Sequence, residues 1–148
     1  MSSEGEAAAA TRENLGFLLA KASQRWNELL YQRFAAAGYP EVRPSYGSLL
    51  LPLLEEDGLR MGELAARARL SKQTITTMVR LLERDGLVER RADASDGRAS
   101  RAFLTERARN FRPVAAATLA ELDRLVVTTL TARVRDEVRD ALRRLADL

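Results

Sequence analysis

Seven side chains within ten residues are of kinds that can hold or read an anionic partner: Ser71, Lys72, Gln73, Thr74, Thr76, Thr77 and Arg80. Between them Ile75, Met78, Val79 and Leu82 recur at offsets 0, 3, 4 and 7, one face of a 3.6-residue period. A helix here buries that stripe and turns Lys72, Gln73, Thr76, Thr77 and Arg80 outward, with Thr74 at the edge. Glutamine can pair bidentately with an adenine edge, threonine can touch a base edge or a thymine methyl, and arginine can reach guanine or phosphate. Ser71 is a good N-cap. The N–H groups behind it, with Lys72, offer positive potential to a phosphate oxygen.

A second polar cluster follows in "RADASDGRASRAFLT", residues 91–105, where Asp93 to Ala99 are all small or charged. Asp96-Gly97 is a common turn dipeptide, and the flanks have strand character, so the stretch reads as a hairpin with a long polar tip. An arginine at such a tip, Arg98, can enter a narrow minor groove, where negative potential is strongest. Asp96 is expected to orient it, and Arg90, Arg91 and Arg101 on the stem to meet flanking phosphates.

Other chemistry has little to work with. The chain of 148 residues holds no cysteine and no histidine. That removes disulfides, thiolate zinc sites, thiol redox sensing and the usual general base. No suitable carboxylate cluster stands out for a metal, no cofactor is expected, and neither a nucleophile–base pair nor a phosphate-binding glycine loop is present. The formal charge is +3, unevenly spread: residues 1–59 carry 5 basic and 8 acidic groups, residues 60–105 carry 10 and 6. An anionic partner is drawn to the middle third. No apolar run approaches 18 residues, so no membrane partner is expected. The N-terminal stretch does not read as a secretory signal, and a cytoplasmic location is the expectation.

The elements that must position these residues are mostly helical. A long amphipathic helix runs from Leu15, with Thr11 as a candidate N-cap, to a stop at Gly38-Tyr39-Pro40. A second starts near Pro44-Ser45 and ends around Asp57-Gly58, with Pro52 in conflict with its interior. "MGELAARA" and the helix capped by Ser71 and stopped by Gly86 form a helix-turn-helix. Strands over 87–91 and 101–105 complete a winged helix after a short strand near residue 60. Thr105 caps a helix in which Pro113 can introduce a bend, and a last helix follows Leu130-Thr131. The expected fold class is mainly α with a small β-hairpin wing. Its expected domains are a disordered tail over 1–10, a helical lobe from 11–38 and 106–148, and a DNA-binding lobe over 44–105.

The segment "ELAARARLSKQTITTMVRLLERDGLVERRADASDGRASRAFLT" resembles the winged-helix core of the MarR family of multiple-antibiotic-resistance-type regulators. The features that carry the likeness are "ELA", the "LS" turn, "LLERDGLVER", and "SDGRA" followed by "LT". Many family members have a second arginine or a bulkier residue where this chain has Gly97. The resemblance implies an obligate homodimer with intertwined terminal helices, and a small aromatic or phenolic effector between the lobes. Arg25, Trp26 and Tyr46 are candidates for that pocket, although core or interface packing is the favoured reading of Trp26, Tyr31 and Tyr46. Independently, three amphipathic helices at the chain ends have more apolar surface than a 45-residue wing domain can cover, and so need a partner.

The function expected is therefore a double-stranded-DNA-binding transcription regulator. It would be a homodimeric repressor on a palindromic operator, with release by a small aromatic or phenolic ligand as a further expectation. The alternatives are a winged-helix module that binds protein instead, and an enzyme. A merely solvated helix face is the bland reading of 71–85, but threonines are poor choices for one by helix propensity.

Overall fold

The computed structural model describes residues 3, 6 and 10–148, so the tail expected over 1–10 lies almost wholly outside the described residues. Six helices and three strands follow: α1 Leu15–Ala36, α2 Gly47–Glu55, β1 Leu59–Arg60, α3 Met61–Ala68, α4 Lys72–Arg84, β2 Val88–Ala92, β3 Ser100–Leu104, α5 Glu106–Leu130 and α6 Ala132–Ala146. The strands form one antiparallel sheet in the order β1-β3-β2. Val88 pairs with Leu104, Arg90 with Ala102, and Leu59 with Ala102 from the other side.

The long first helix begins at Asn14, whose side chain accepts from the Gly16 N–H, and not at Thr11. Asn14 stands directly before the apolar stripe, which makes it the better-placed cap. The expected second helix is divided. Pro44–Tyr46 form a 3-10 turn before α2. Pro52 sits inside α2 without breaking it. The hydrogen bond it forgoes falls on the carbonyl of exposed Ser48, where water can serve. Pro113 is likewise carried within α5. Both wing strands lie one residue from their expected bounds, a shift set by the pairing of Ala92 with Ser100.

The core lies beneath the middle of the chain. Tyr46, Leu49, Leu53, Leu59, Leu64, Ile75, Val79, Leu82 and Leu87 are all at most 2% exposed. Phe34 of α1 meets Phe111 of α5 edge-on at 4.8 Å, which anchors the two long helices to this core. Only Leu30 and Phe34 of α1 are buried, and nothing in α6 is. Leu15, Leu18 and Leu19, with Val134, Val138 and Leu142, lie exposed.

Two turns aim the middle elements. Helix α4 ends in paired hydrogen bonds, Gly86 N–H to the Glu83 carbonyl and Leu87 N–H to the Leu82 carbonyl, with Gly86 at φ +74°. Gly58, at φ +70°, admits no side chain, since a Cβ there would lie 2.7 Å from the Phe103 ring. Asp57 pins that corner, its Oδ1 accepting from the N–H groups of Gly58 and Leu104.

Candidate nucleic-acid interface

Ser71 caps α4 by accepting from the Thr74 N–H at 3.1 Å, so the first turn is fixed by its own sequence. Ile75, Val79 and Leu82 then bury one side of the helix. On the other side Ser71, Lys72, Gln73, Thr74, Thr77 and Arg80 are exposed, and Thr76 is half-buried on the flank. The structure thus brings all seven candidates of this segment onto one surface. The turn between α3 and α4 is short because Arg69 takes a left-handed conformation, φ 55°. That costs a non-glycine residue about 1–2 kcal/mol. Its guanidinium reaches back to Asp147 at 2.8 Å.

The hairpin beside it is braced from its root. Asp93 is 5% exposed. It accepts from the Ser95 N–H and hydroxyl, at 3.0 and 2.9 Å. Its Oδ2 lies 2.6 Å from Arg60 and 3.3 Å from Arg101. Those two Ser95 hydrogen bonds, with the charges of Arg101 and Arg60, hold the Asp93 carboxyl down at about 2. Asp93 and Arg60 were not singled out from the sequence. The available signal was Asp93-Ala94-Ser95, an Asx-turn spacing, but its arginine partners come from β1 and β3 and meet only in the fold.

Five wing residues were expected to serve the interface, and the structure separates them. Arg98 is exposed at the tip. Asp96 does not orient its guanidinium; the Asp96 carboxylate accepts from the Arg98 backbone N–H at 3.0 Å and shapes the turn instead. Arg101 is turned inward to Asp93 and donates to the Gly58 carbonyl at 2.8 Å. Arg90 pairs with Glu83 of α4 at 2.7 Å, fastening the hairpin to the helix. Arg91 pairs with Glu89 and lies over the Phe103 ring, and Arg84 pairs with Asp85. Among the described residues, the cations of α4 and the wing that make no ion pair are Lys72, Arg80 and Arg98.

Residues 42–99 match the model of the MarR family. The chain is 36% identical over 126 residues to the HTH-type transcriptional repressor Rv2887 of Mycobacterium tuberculosis, covering 79% of this chain and 90% of that protein. The chain belongs to the MarR family. Among solved structures, a probable transcriptional regulator of Pseudomonas aeruginosa superposes with a TM-score of 0.76 at 26% identity, covering 90% of this chain and 97% of that one. The repressor CouR, bound to a 23-mer DNA duplex, gives 0.75 at 27% identity over 99% of both chains. The PcaV regulator of Streptomyces coelicolor, in complex with its natural ligand, gives 0.75 at 25% identity over 91% of this chain and 93% of that one. The protein is thus a MarR-family transcriptional regulator with a winged-helix fold, and not an enzyme.

The three residues expected to line an effector pocket do not come together in this MarR-family chain. Arg25 and Trp26 face a largely apolar cleft of about 400 Å³ between α1 and α5, beside Leu29, Leu122, Leu125 and Val126. Tyr46 lies elsewhere. It is 2% exposed, and its hydroxyl donates to Asp85 at the end of α4. The 3-10 turn at Pro44–Tyr46 rotates the ring into the core, which its sequence position could not reveal. Among the described residues, no group of His, Cys, Asp and Glu can hold a metal ion, and no helix is long and apolar enough to cross a membrane.

Proposed function

We propose that the protein is a homodimeric, sequence-specific repressor that binds a palindromic operator through α4 and the wing. The observation that carries this reading is the outer face of α4. Gln73, Thr77 and Arg80 are exposed there on a helix held rigidly by its buried stripe and by caps at both ends. That is what a major-groove reader needs. Lys72, Arg80 and Arg98 supply positive charge that no carboxylate of the described chain consumes, available to phosphates and to the minor groove. Asp93, Arg60, Arg101 and Arg90 serve by holding the wing at a fixed distance from α4.

The dimer reading rests on apolar surface. Leu15, Leu18 and Leu19 of α1 are 57%, 44% and 38% exposed, and Val134, Val138 and Leu142 of α6 are 36%, 41% and 46% exposed. Together with Leu125 and Leu130, these make a surface a soluble monomer rarely shows. A second copy covers it by two-fold symmetry and sets the two α4 helices about one DNA turn, roughly 34 Å, apart. Residues 11–38 and 106–148 form the dimer lobe on this reading, and 44–105 the reading head. The Arg25–Trp26 cleft opens onto that lobe, and its size suits a small aromatic anion. An effector acts there by favouring a dimer with altered α4 spacing, which weakens DNA binding through differential affinity alone.

Selection of bound duplexes from a random library at physiological salt tests the reading. A recovered palindrome with two half-sites about one turn apart is expected. Affinity without sequence preference, and unchanged by Arg98→Ala, would instead indicate a winged helix that binds protein.

A further inference from the structure

Gln73, Thr77 and Arg80 follow one another along the outermost line of α4, but the hydroxyl of Thr77 is not available as a donor. Its Oγ1 donates to the Gln73 carbonyl one turn back, at 3.1 Å. On the flank Thr76 does the same to the Lys72 carbonyl at 2.9 Å. A threonine hydroxyl has one proton, so a residue bonded this way keeps only oxygen lone pairs and its methyl for a partner. The back-bond also holds one side-chain rotamer, which gives the methyl a fixed direction. Such a residue cannot donate to guanine N7 or O6, or to thymine O4. It can accept from the adenine N6 amine and pack against the thymine C5 methyl. Both groups lie on the major-groove edge of an A·T pair. A G·C pair offers a cytosine amine but no methyl, so the methyl contact makes the distinction. Gln73, one turn earlier and exposed, carries the amide that pairs bidentately with adenine.

We propose that Thr77 is a specificity-determining residue that reads an A·T pair through the thymine methyl, with Gln73 reading a neighbouring adenine, so that each half-site carries A·T pairs beneath the first two turns of α4. This rests on the reading of α4 as a major-groove helix, and it adds the base chemistry which that reading leaves open. Arg80, without an ion pair, remains for guanine or phosphate farther along the helix.

The test uses the full chain and the duplex recovered by selection, resynthesised with deoxyuridine in place of thymidine at one symmetric pair of positions at a time. Deoxyuridine removes only the C5 methyl. One thymine in each half-site is expected to be sensitive, with binding about fourfold weaker per half-site and about fifteenfold weaker for the whole site. In Thr77→Ser, which keeps the hydroxyl and loses the methyl, that position should no longer distinguish the two duplexes. Thr77→Val, which keeps a methyl and loses the hydroxyl, should still distinguish them. Thr77 is exposed, so neither change disturbs the core, and equal unfolding midpoints check this. If no position responds to loss of the methyl, or the response persists in Thr77→Ser, the assignment is overturned while DNA recognition stands. A selection that recovers no preferred site overturns the proposed sequence-specific operator binding and this assignment with it.

Discussion

The hydroxyl of Tyr46, in the turn before α2, donates to the Asp85 carboxylate at the C-terminal cap of α4, at 2.5 Å. The two residues are 39 positions apart in the chain. Their hydrogen bond ties the end of the helix that carries Gln73 and Thr77 to the segment descending from α1. Burial, and then the bond to Asp85, raises the Tyr46 hydroxyl above its ordinary pKa. The Tyr46 hydroxyl, and then Arg84, holds the Asp85 carboxyl below the usual range.

Tyr46→Phe removes one partner and leaves a mostly buried carboxylate with only Arg84. We expect a loss of about 1–3 kcal/mol in urea unfolding at neutral pH. The Asp85 contribution is present above the unfolded aspartate pKa and is lost as pH falls through its lower folded value. The Tyr46 contribution is present below the unfolded tyrosine pKa and is lost as pH rises toward its higher folded value. The penalty should therefore be flat across the neutral range and shrink at both extremes. A penalty of only a few tenths of a kcal/mol would show that the bond does not fasten the helix.

Asp93→Asn should loosen the wing. The carboxyl is held at about 2, so its stabilisation is fully present above the unfolded aspartate pKa and disappears as pH falls toward 2. Thermal unfolding of parent and variant should differ at pH 7 and converge in acid. Operator affinity should drop as well, because Arg60 and Arg101 lose the charge that holds the hairpin. A gap independent of pH would remove the carboxylate from the account.

Operator binding should weaken steeply with salt. The three unpaired cations of α4 and the wing in each protomer make six for a dimer, which predicts a log–log slope of about −5. Arg98→Ala should weaken binding by about 1–3 kcal/mol and flatten that slope by about two. Arg101→Ala should instead lower the unfolding midpoint, since its guanidinium is spent on Asp93 and Gly58. Titrations by fluorescence anisotropy at several salt concentrations separate the two.

Leu142→Glu places a charge in the apolar stripe of α6, where the parent side chain is 46% exposed in one chain. Light scattering should report a dimer for the parent and a shift toward monomer for the variant, with operator affinity falling in parallel. A monomeric parent would remove the dimer from the proposed function.

The sequence by itself determined the local elements and the outward face of α4. The 3.6-residue spacing of Ile75, Val79 and Leu82, the Ser71 cap and the Gly86 stop are short-range rules written within sixteen residues. The wing was legible for the same reason, from a turn dipeptide between two strand-like runs. Only the tertiary structure decided which arginines remain unpaired. Arg98 and Arg101 look alike three residues apart, yet one is exposed at the tip and the other is drawn to Asp93. Tyr46 likewise reads as a pocket aromatic until the fold sets Asp85 against it. The Tyr46–Asp85 bond joins residues 39 positions apart and the Arg101–Asp93 pair spans the wing loop, and no periodicity encodes either contact. Which charges stay open to a partner is thus settled by packing, after the helices themselves have been specified.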